Sequence, residues 1–173
     1  MKEAAQKKRP KCRKKNLSRI VIRKIQRTKD RQTRLKIIRA VAGADIPWTN
    51  EVLLTALEDP CERIRDFIVH ELAHQEDFEL DPIYALMSRP PWYVKSGCLQ
   101  ILSLRKIAES VKHIEKAIRD PNVDVRRNAA HALGEIGGKE AVALLAELTR
   151  DTSHFVRESA RKALEKTTQI KFS

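Results

Sequence analysis

The 173 residues are enough for one domain with a sizeable core, and 42% apolar residues with only 5 Gly and 5% aromatics describe a helical chain rather than a sheet protein. No apolar stretch approaches the ~18 residues of a membrane span, and no apolar run follows the N-terminal charges as it would in a secretory signal; a soluble, cytoplasmic protein is expected. The net charge of +12 sits at one end, because residues 1–39 hold 17 Lys/Arg against Glu3 and Asp30, while the other 18 bases are outweighed by 21 acids.

The chain opens on a basic segment, Lys7-Lys-Arg-Pro-Lys-Cys-Arg-Lys-Lys15, with seven bases in nine residues. Such a run does not fold alone, so residues 1–16 are expected to be a disordered tail. Asn16 or Ser18 then caps an opening helix through about Lys29, with Leu17, Ile20, Val21 and Ile25 on one face. A repeat follows. The basic residues Arg34, Arg65, Lys95, Arg126 and Arg157 recur every 30 or 31 positions. Three residues after each stand Ile37, Ile68, Cys98, Ala129 and Ala160; seven after stand Val41, Leu72, Leu102, Leu133 and Leu164. Spacings of three and four mark one face of a helix. Asp59, Asp120 and Asp151 stand six residues before a basic position, and Pro60, Pro121 and Pro90-Pro91 punctuate helix starts. Second helices are expected at roughly 49–58, 80–88, 107–119 and 139–150. Gly43 and Gly137-Gly138 separate paired helices. The last helix, near 153–167, has no second helix after it, so its apolar edge is expected to be open or paired with another chain. The repeat domain spans 17–168, with a short tail at 169–173.

Residues 120–145, from Asp-Pro-Asn-Val-Asp-Val-Arg-Arg-Asn-Ala-Ala to Ala-Leu-Leu, closely resemble the short HEAT-like repeats of the phycobilin (PBS) lyase type. The resemblance is good over 120–166 and fainter over 59–119 and 28–58. It implies an all-α, armadillo-type fold: a right-handed α-α superhelix, or HEAT-like solenoid, of about five helical-hairpin repeats, with second helices lining the concave face. Function does not follow from that fold, since the family spans scaffolds, lyases and a metal hydroxylase. In proteins with such repeats the recurring base pairs with an acid near a helix start and ties adjacent units. Asp59, Asp120 and Asp151 have the right offset, so the ladder is read as structural rather than as a nucleic-acid stripe.

His70-Glu71-Leu72-Ala73-His74 matches the HExxH pattern, in which two His one helical turn apart bind zinc and Glu acts as base. Glu76, Asp77, His113 and His131 offer a third ligand at no known zincin spacing, and Leu72 is already a core position. A chance match is expected, and no metal, cofactor or catalytic residue is assigned. The His-Glu dyad of the HEAT-like deoxyhypusine hydroxylases would directly follow the ladder base; here those positions read Asp66-Phe67, Ser96-Gly97, Arg127-Asn128 and Glu158-Ser159. HEAT-like DNA glycosylases require aromatics and an acid facing a flipped base, whereas Trp48 and Trp92 sit at helix starts, where a hydrophobic staple is the ordinary role. Cys12, Cys61 and Cys98 are odd in number and form no CxxC, so reduced thiols are expected.

The expected function is a non-catalytic scaffold for protein–protein interaction through the concave face. Lys7, Lys8, Arg9, Lys11, Arg13, Lys14, Lys15, Arg19, Arg23, Lys24 and Arg27 would attach it to a polyanion, RNA, DNA or an acidic protein, through charge alone. Membrane insertion is not expected. The alternative is a lyase-like or metal-dependent enzyme or maturation factor around His70, Glu71 and His74. Lys112, Lys116 and Arg119 are further candidates for partner contact.

Overall fold

The computed structural model describes residues 12–44, 46–75, 77–89 and 91–169, with side chains described from 17 to 167. The helices are α1 (Cys12–Arg27), α2 (Arg31–Ala42), α3 (Thr49–Ala56), α4 (Glu62–Ala73), α5 (Asp81–Leu86), α6 (Trp92–Arg105), α7 (Val111–Ile114), α8 (Val123–Ile136), α9 (Lys139–Leu148) and α10 (His154–Gln169). Short 3-10 turns, Ala108–Ser110 and Glu115–Arg119, flank α7, so the second helix expected at 107–119 is a broken one. The described residues form no strand, and the helices stack as a right-handed solenoid of hairpins.

Local chemistry sets the helix ends. Asp30 caps α2 by accepting from the Thr33 amide at 2.8 Å, and Asn122 caps α8 by accepting from Asp124 and Val125. Gly137 and Gly138 have φ of 72° and 93°, a backbone that glycine adopts freely, and they turn the chain from α8 into α9. Gly43 ends α2 with ordinary right-handed geometry, and the left-handed cap of α6 falls on Lys106 instead. Helix α1 begins at Cys12, ahead of the expected cap, because the basic run Arg13-Lys14-Lys15 consists of good helix formers. Its buried side is Ser18 and Ile25, with Val21 and Ile22 half-buried; Leu17 and Ile20, expected among the packed residues, are 53% and 59% exposed.

The repeated apolar positions make one continuous core. Ile68, Leu72, Cys98, Leu102, Ala129, Leu133 and Ala160 are all buried. Burial pushes the Cys98 thiol up to about 12, so it packs as a small apolar group.

In three of the five units the base ties its unit to the next. Arg34 Nε and Nη2 donate to both Asp59 oxygens at 2.7 and 2.9 Å, and Arg126 grips Asp151 with the same two atoms at the same distances. Lys95 reaches Asp120 at 2.7 Å. All three pairs span 25 residues. Each aspartate also accepts from the amide two residues on, those of Cys61, Asn122 and Ser153. One carboxylate therefore both shapes a turn and receives a charge-assisted bond from the previous unit. The expected ladder is present, with one rung replaced: 25 residues after Arg65 stands Pro90 instead of an acid. There Arg65 donates to the Asp59 carbonyl and lays its guanidinium over the Tyr93 ring, 4.6 Å from the centroid.

Inter-helix spacing corrects the expected assignment of layers. From α4 onward the ladder helices α4, α6, α8 and α10 pack along one another, whereas the second-layer helices α3, α5, α7 and α9 meet their like only sparsely. Gly134 of α8 lies so close to α10 that an added Cβ would come within 2.6 Å of the Ala163 Cβ. In a curved stack the closer helices lie on the inside, so the ladder helices, not the second helices, line the concave face.

The C-terminal end also departs from expectation. Gly134 stands eight positions after its ladder base and faces the next unit; the side chain of Val69, four after Arg65, lies 3.5 Å from where a Cβ on Gly97 of the next ladder helix would stand. At the four-position site the helices carry Ile38, Val69, Leu99 and Ala130, all buried, and then an exposed Arg161. At the eight-position site Ala42, Ala73, Ser103 and Gly134 give way to an exposed Glu165. Charge replaces apolar contact on the outer side of α10, as on a capping repeat. Among the described residues the expected open apolar edge is absent there, although Phe155 is exposed at the helix start.

Candidate functional site

Of the expected polyanion-binding residues, Lys7, Lys8, Arg9 and Lys11 lie outside the described residues. Arg13, Lys14 and Lys15 lie on the first turn of α1, with side chains also outside the described set. Arg19, Arg23, Lys24 and Arg27 are exposed on α1. Arg19, Arg23 and Arg27 recur every fourth residue, a stripe with ~6 Å steps along the helix. Lys29, Arg31, Lys36 and Arg39, not among the bases expected from sequence, add exposed charge from the following loop and α2. Asp30 is the one acid in residues 17–42. It is held below the usual carboxylate range, chiefly by the Thr33 hydroxyl and amide. Arg34 takes no part in this surface, being buried on Asp59.

The second feature is a groove on the concave face where α4, α6 and α8 run side by side. Glu62, Asp66 and Val69 of α4, Trp92, Tyr93, Ser96, Gly97 and Gln100 of α6, and Asp124, Arg127 and Asn128 of α8 line it, with Arg65 at its edge. Gly97 keeps its floor low, since a Cβ there would stand over the side chains of Val69 and Leu57. Trp92 is 44% exposed and meets Tyr93 edge to face. Tyr93 is fixed under Arg65 and donates weakly to the Glu58 carbonyl at 3.4 Å. Arg127 is engaged by Asp124 at 3.2 Å. Glu62 and Asp66 stand one turn apart on α4 and make no ion pair among the described residues, though the Arg65 charge acts on Asp66. The Asp66 carboxyl is raised above its ordinary value by burial first and by Glu62 second. Ser96 is 6% exposed, and its buried Oγ has no hydrogen-bond partner.

A second concave groove, between α8 and α10, is lined by Arg127, His131, Glu135, Lys162 and Lys166 among others. Its carboxylate is already engaged: Lys166 and Lys106 bond Glu135 and hold it below its ordinary value. Lys162 pairs with Glu158 at 2.7 Å.

The HExxH residues do not converge on a ligand site. His70 and His74 stack on each other with centroids 4.1 Å apart, and His74 Nδ1 lies 2.7 Å from the His70 carbonyl. Glu71 is half-buried rather than enclosed, which makes a Glu at this repeat position tolerable. His113 stacks on Tyr84 at 3.7 Å, and His131 meets the Ser103 hydroxyl at 3.1 Å. Among the described residues no three His, Cys, Asp or Glu side chains gather where they could hold a metal ion. Trp48 and Trp92 do occupy helix starts; Trp48 is partly buried against the core, while Trp92 faces the groove. Lys112 and Lys116 border a hollow with Tyr84 and His113 on the second layer, and Arg119 there pairs with Glu147 at 2.9 Å. No described helix is long and apolar enough to cross a membrane.

Residues 80–165 match the family described as HEAT repeats. None of the curated proteins matches the chain. Among solved structures, the complex of CpcE and CpcF of phycocyanin lyase from Nostoc sp. PCC7120 is similar over 98% of this chain and 70% of that chain, with a TM-score of 0.57 and 16% identity. An engineered protein is similar over 88% of this chain and 79% of that chain, with a TM-score of 0.46 and 19% identity. At these identities the likeness is one of fold.

Proposed function

From a chain whose residues 80–165 belong to the HEAT-repeat family, we propose a non-catalytic scaffold. It holds another protein on the concave face and attaches to a polyanion through its basic N-terminal end. The observation that carries this reading is the division of labour among the bases. Arg34, Lys95 and Arg126 are consumed in tying units together, while Arg19, Arg23, Lys24 and Arg27 of α1 and Lys29, Arg31, Lys36 and Arg39 after it stand exposed with one acid, Asp30, among them. The concave helices likewise spend their apolar residues on the core and turn polar and aromatic side chains outward. Repeat solenoids bind through such extended concave surfaces. The fold shared with a lyase complex supports the architecture and does not carry the activity here.

Two measurements test the two halves. Binding of the full chain to a labelled RNA and to a DNA duplex is followed across a salt series. Steep salt dependence is expected, and the Arg19→Gln, Arg23→Gln, Arg27→Gln variant should flatten the slope by about 2, at ~0.7–0.9 for each phosphate no longer neutralised. Absence of binding at moderate salt overturns the polyanion half. A photoreactive residue at Gln100 or His131, on the concave face, should capture one protein in cells. The same residue at Glu51 or Glu140, on the second layer, should not. Equal capture from both layers overturns the concave half.

A further inference from the structure

We infer that the α4–α6–α8 groove is a docking site for a basic segment of a partner protein, one Lys or Arg of which lies along Trp92 with its charge toward Glu62 and Asp66. This inference rests on the concave-face reading above and names the chemistry of the partner.

Three independent observations converge on the groove. The first is charge. Its lining acids are Glu62, Asp66 and Asp124 and its bases are Arg65 and Arg127, a net negative spot on a chain of net charge +12. Both bases are engaged, Arg65 over Tyr93 and Arg127 on Asp124, so Glu62 and Asp66 are the charges left to answer. The Asp66 carboxyl is raised, first by burial and second by Glu62, although the Arg65 charge lowers it. The second is Trp92. An indole with 44% of its surface exposed beside two carboxylates is a platform for a cation, and Trp is the best of the aromatic faces for that contact. The neighbouring ring cannot serve, because Arg65 already covers Tyr93. The third is the polar lining beside Trp92. Gln100 and Asn128 carry side-chain amides that the backbone N–H and C=O groups of an extended peptide can meet.

The broken ladder explains why the groove lies here. In the other tied joints an aspartate occupies the ladder base. The sequence has Pro90 rather than an acid 25 residues after Arg65; Arg65 lies over Tyr93, and α6 begins with Trp92-Tyr93. A phosphate backbone is the opposite of what these carboxylates select. The α8–α10 groove, whose carboxylate is neutralised by its own lysines, does not share the signature.

The test pans a phage-displayed library of random 12-residue peptides on the full-length chain and measures selected peptides by fluorescence anisotropy. Peptides with Lys or Arg beside apolar residues should be enriched. Their affinity should fall about tenfold or more in Trp92→Ala, as for a central aromatic anchor, and clearly in the Glu62→Gln, Asp66→Asn variant. His131→Ala, in the other concave groove, should leave it unchanged. All these positions are surface ones, and an unchanged helical circular dichroism signal and melting temperature establish that each variant is folded. Enrichment of peptides without basic residues, indifference to the Glu62, Asp66 and Trp92 variants, or no enrichment at all overturns the inference. Peptides lost on His131→Ala alone would overturn it while leaving the concave-face reading standing; loss of both would show as crosslinks that ignore the layer. Displacement of the selected peptides at low micromolar concentration by a synthetic peptide of residues 1–16 would assign the groove to this chain's own basic segment and overturn the partner.

Discussion

The joint between α8 and α10 and the joint between α4 and α6 are built from the same repeat, and they are closed in different ways. At the first, a bidentate Arg126–Asp151 pair with little exposure locks the turn, and Gly134 lets the helices touch at Ala163. At the second, the carboxylate is missing, Arg65 rests on an aromatic ring, and a Cβ added at Gly97 would stand at ordinary contact distances of 3.5 and 3.6 Å from the Val69 and Leu57 side chains. The same fold is thus tight where a charged rung and a glycine agree, and looser where the rung is lost and a groove opens. The family match begins at residue 80 and covers the tight part of the stack.

The largest effect expected from breaking this contrast is at the rung. Asp151→Ala strands the Arg126 guanidinium in a mostly buried site and should cost about 3 kcal/mol in urea unfolding. Arg65→Ala, which breaks no carboxylate pair, should cost about 1 kcal/mol. The rung also titrates. The Arg126 guanidinium bonds the Asp151 carboxyl and holds it below its unfolded value. Its contribution is therefore full above the unfolded pKa, about 3.9, and is lost as pH falls through the lower folded value. Unfolding between pH 5 and pH 2 should show this loss in the native chain and less of it in Arg126→Gln.

Gly134→Ala comes next. The added methyl meets the Ala163 Cβ and Cα at 2.6 and 3.1 Å, and neither can swing aside, so helices α8 and α10 must part. A loss of about 2 kcal/mol is expected. Smaller again is Pro90→Asp, which supplies a carboxylate 25 residues after Arg65. A gain of about 1 kcal/mol is expected in urea unfolding, with weaker binding of basic peptides, since Arg65 would leave Tyr93 and reshape the groove. Gly97→Ala is the matched control for Gly134→Ala and the smallest effect. Its methyl finds flexible side-chain ends at ordinary distances, and alanine is the better helix former, so the melting temperature should hold or rise slightly, with about 0.5 kcal/mol gained. If both glycines respond alike, the two joints are equally packed and the contrast fails.

Much of this architecture was legible because the repeat writes its chemistry at fixed intervals. The 25-residue offset from Arg34, Lys95 and Arg126 to Asp59, Asp120 and Asp151 is visible in the sequence and becomes three ion pairs. The layer assignment was not legible from periodicity, because both helices of a hairpin show the same spacing of apolar residues. Small residues at Gly134 and Ala163 carried the answer, since they mark where backbones approach. The capped C-terminal end was written at Arg161 and Glu165, but Val156, Ala160 and Ala163 on the other flank of α10 drew attention to an apolar edge. The groove was the least legible. Pro90 signals a missing rung, yet a cation over Tyr93 and an unpaired Glu62–Asp66 turn arise only when two units stack. The HExxH match shows the converse: a motif correct in letters, whose histidines stack on each other at the end of α4.

Residue-resolved amide hydrogen exchange on the full chain tests the central claim, that carboxylate rungs set how firmly successive units are joined. The account predicts that core amides of α8 and α10 exchange together, at one free energy close to that of global unfolding. Amides of α4 should open at a distinctly lower free energy than those of α8, and Pro90→Asp should narrow the gap. Uniform protection from α4 to α10, or earlier opening at the α8–α10 joint, would contradict it.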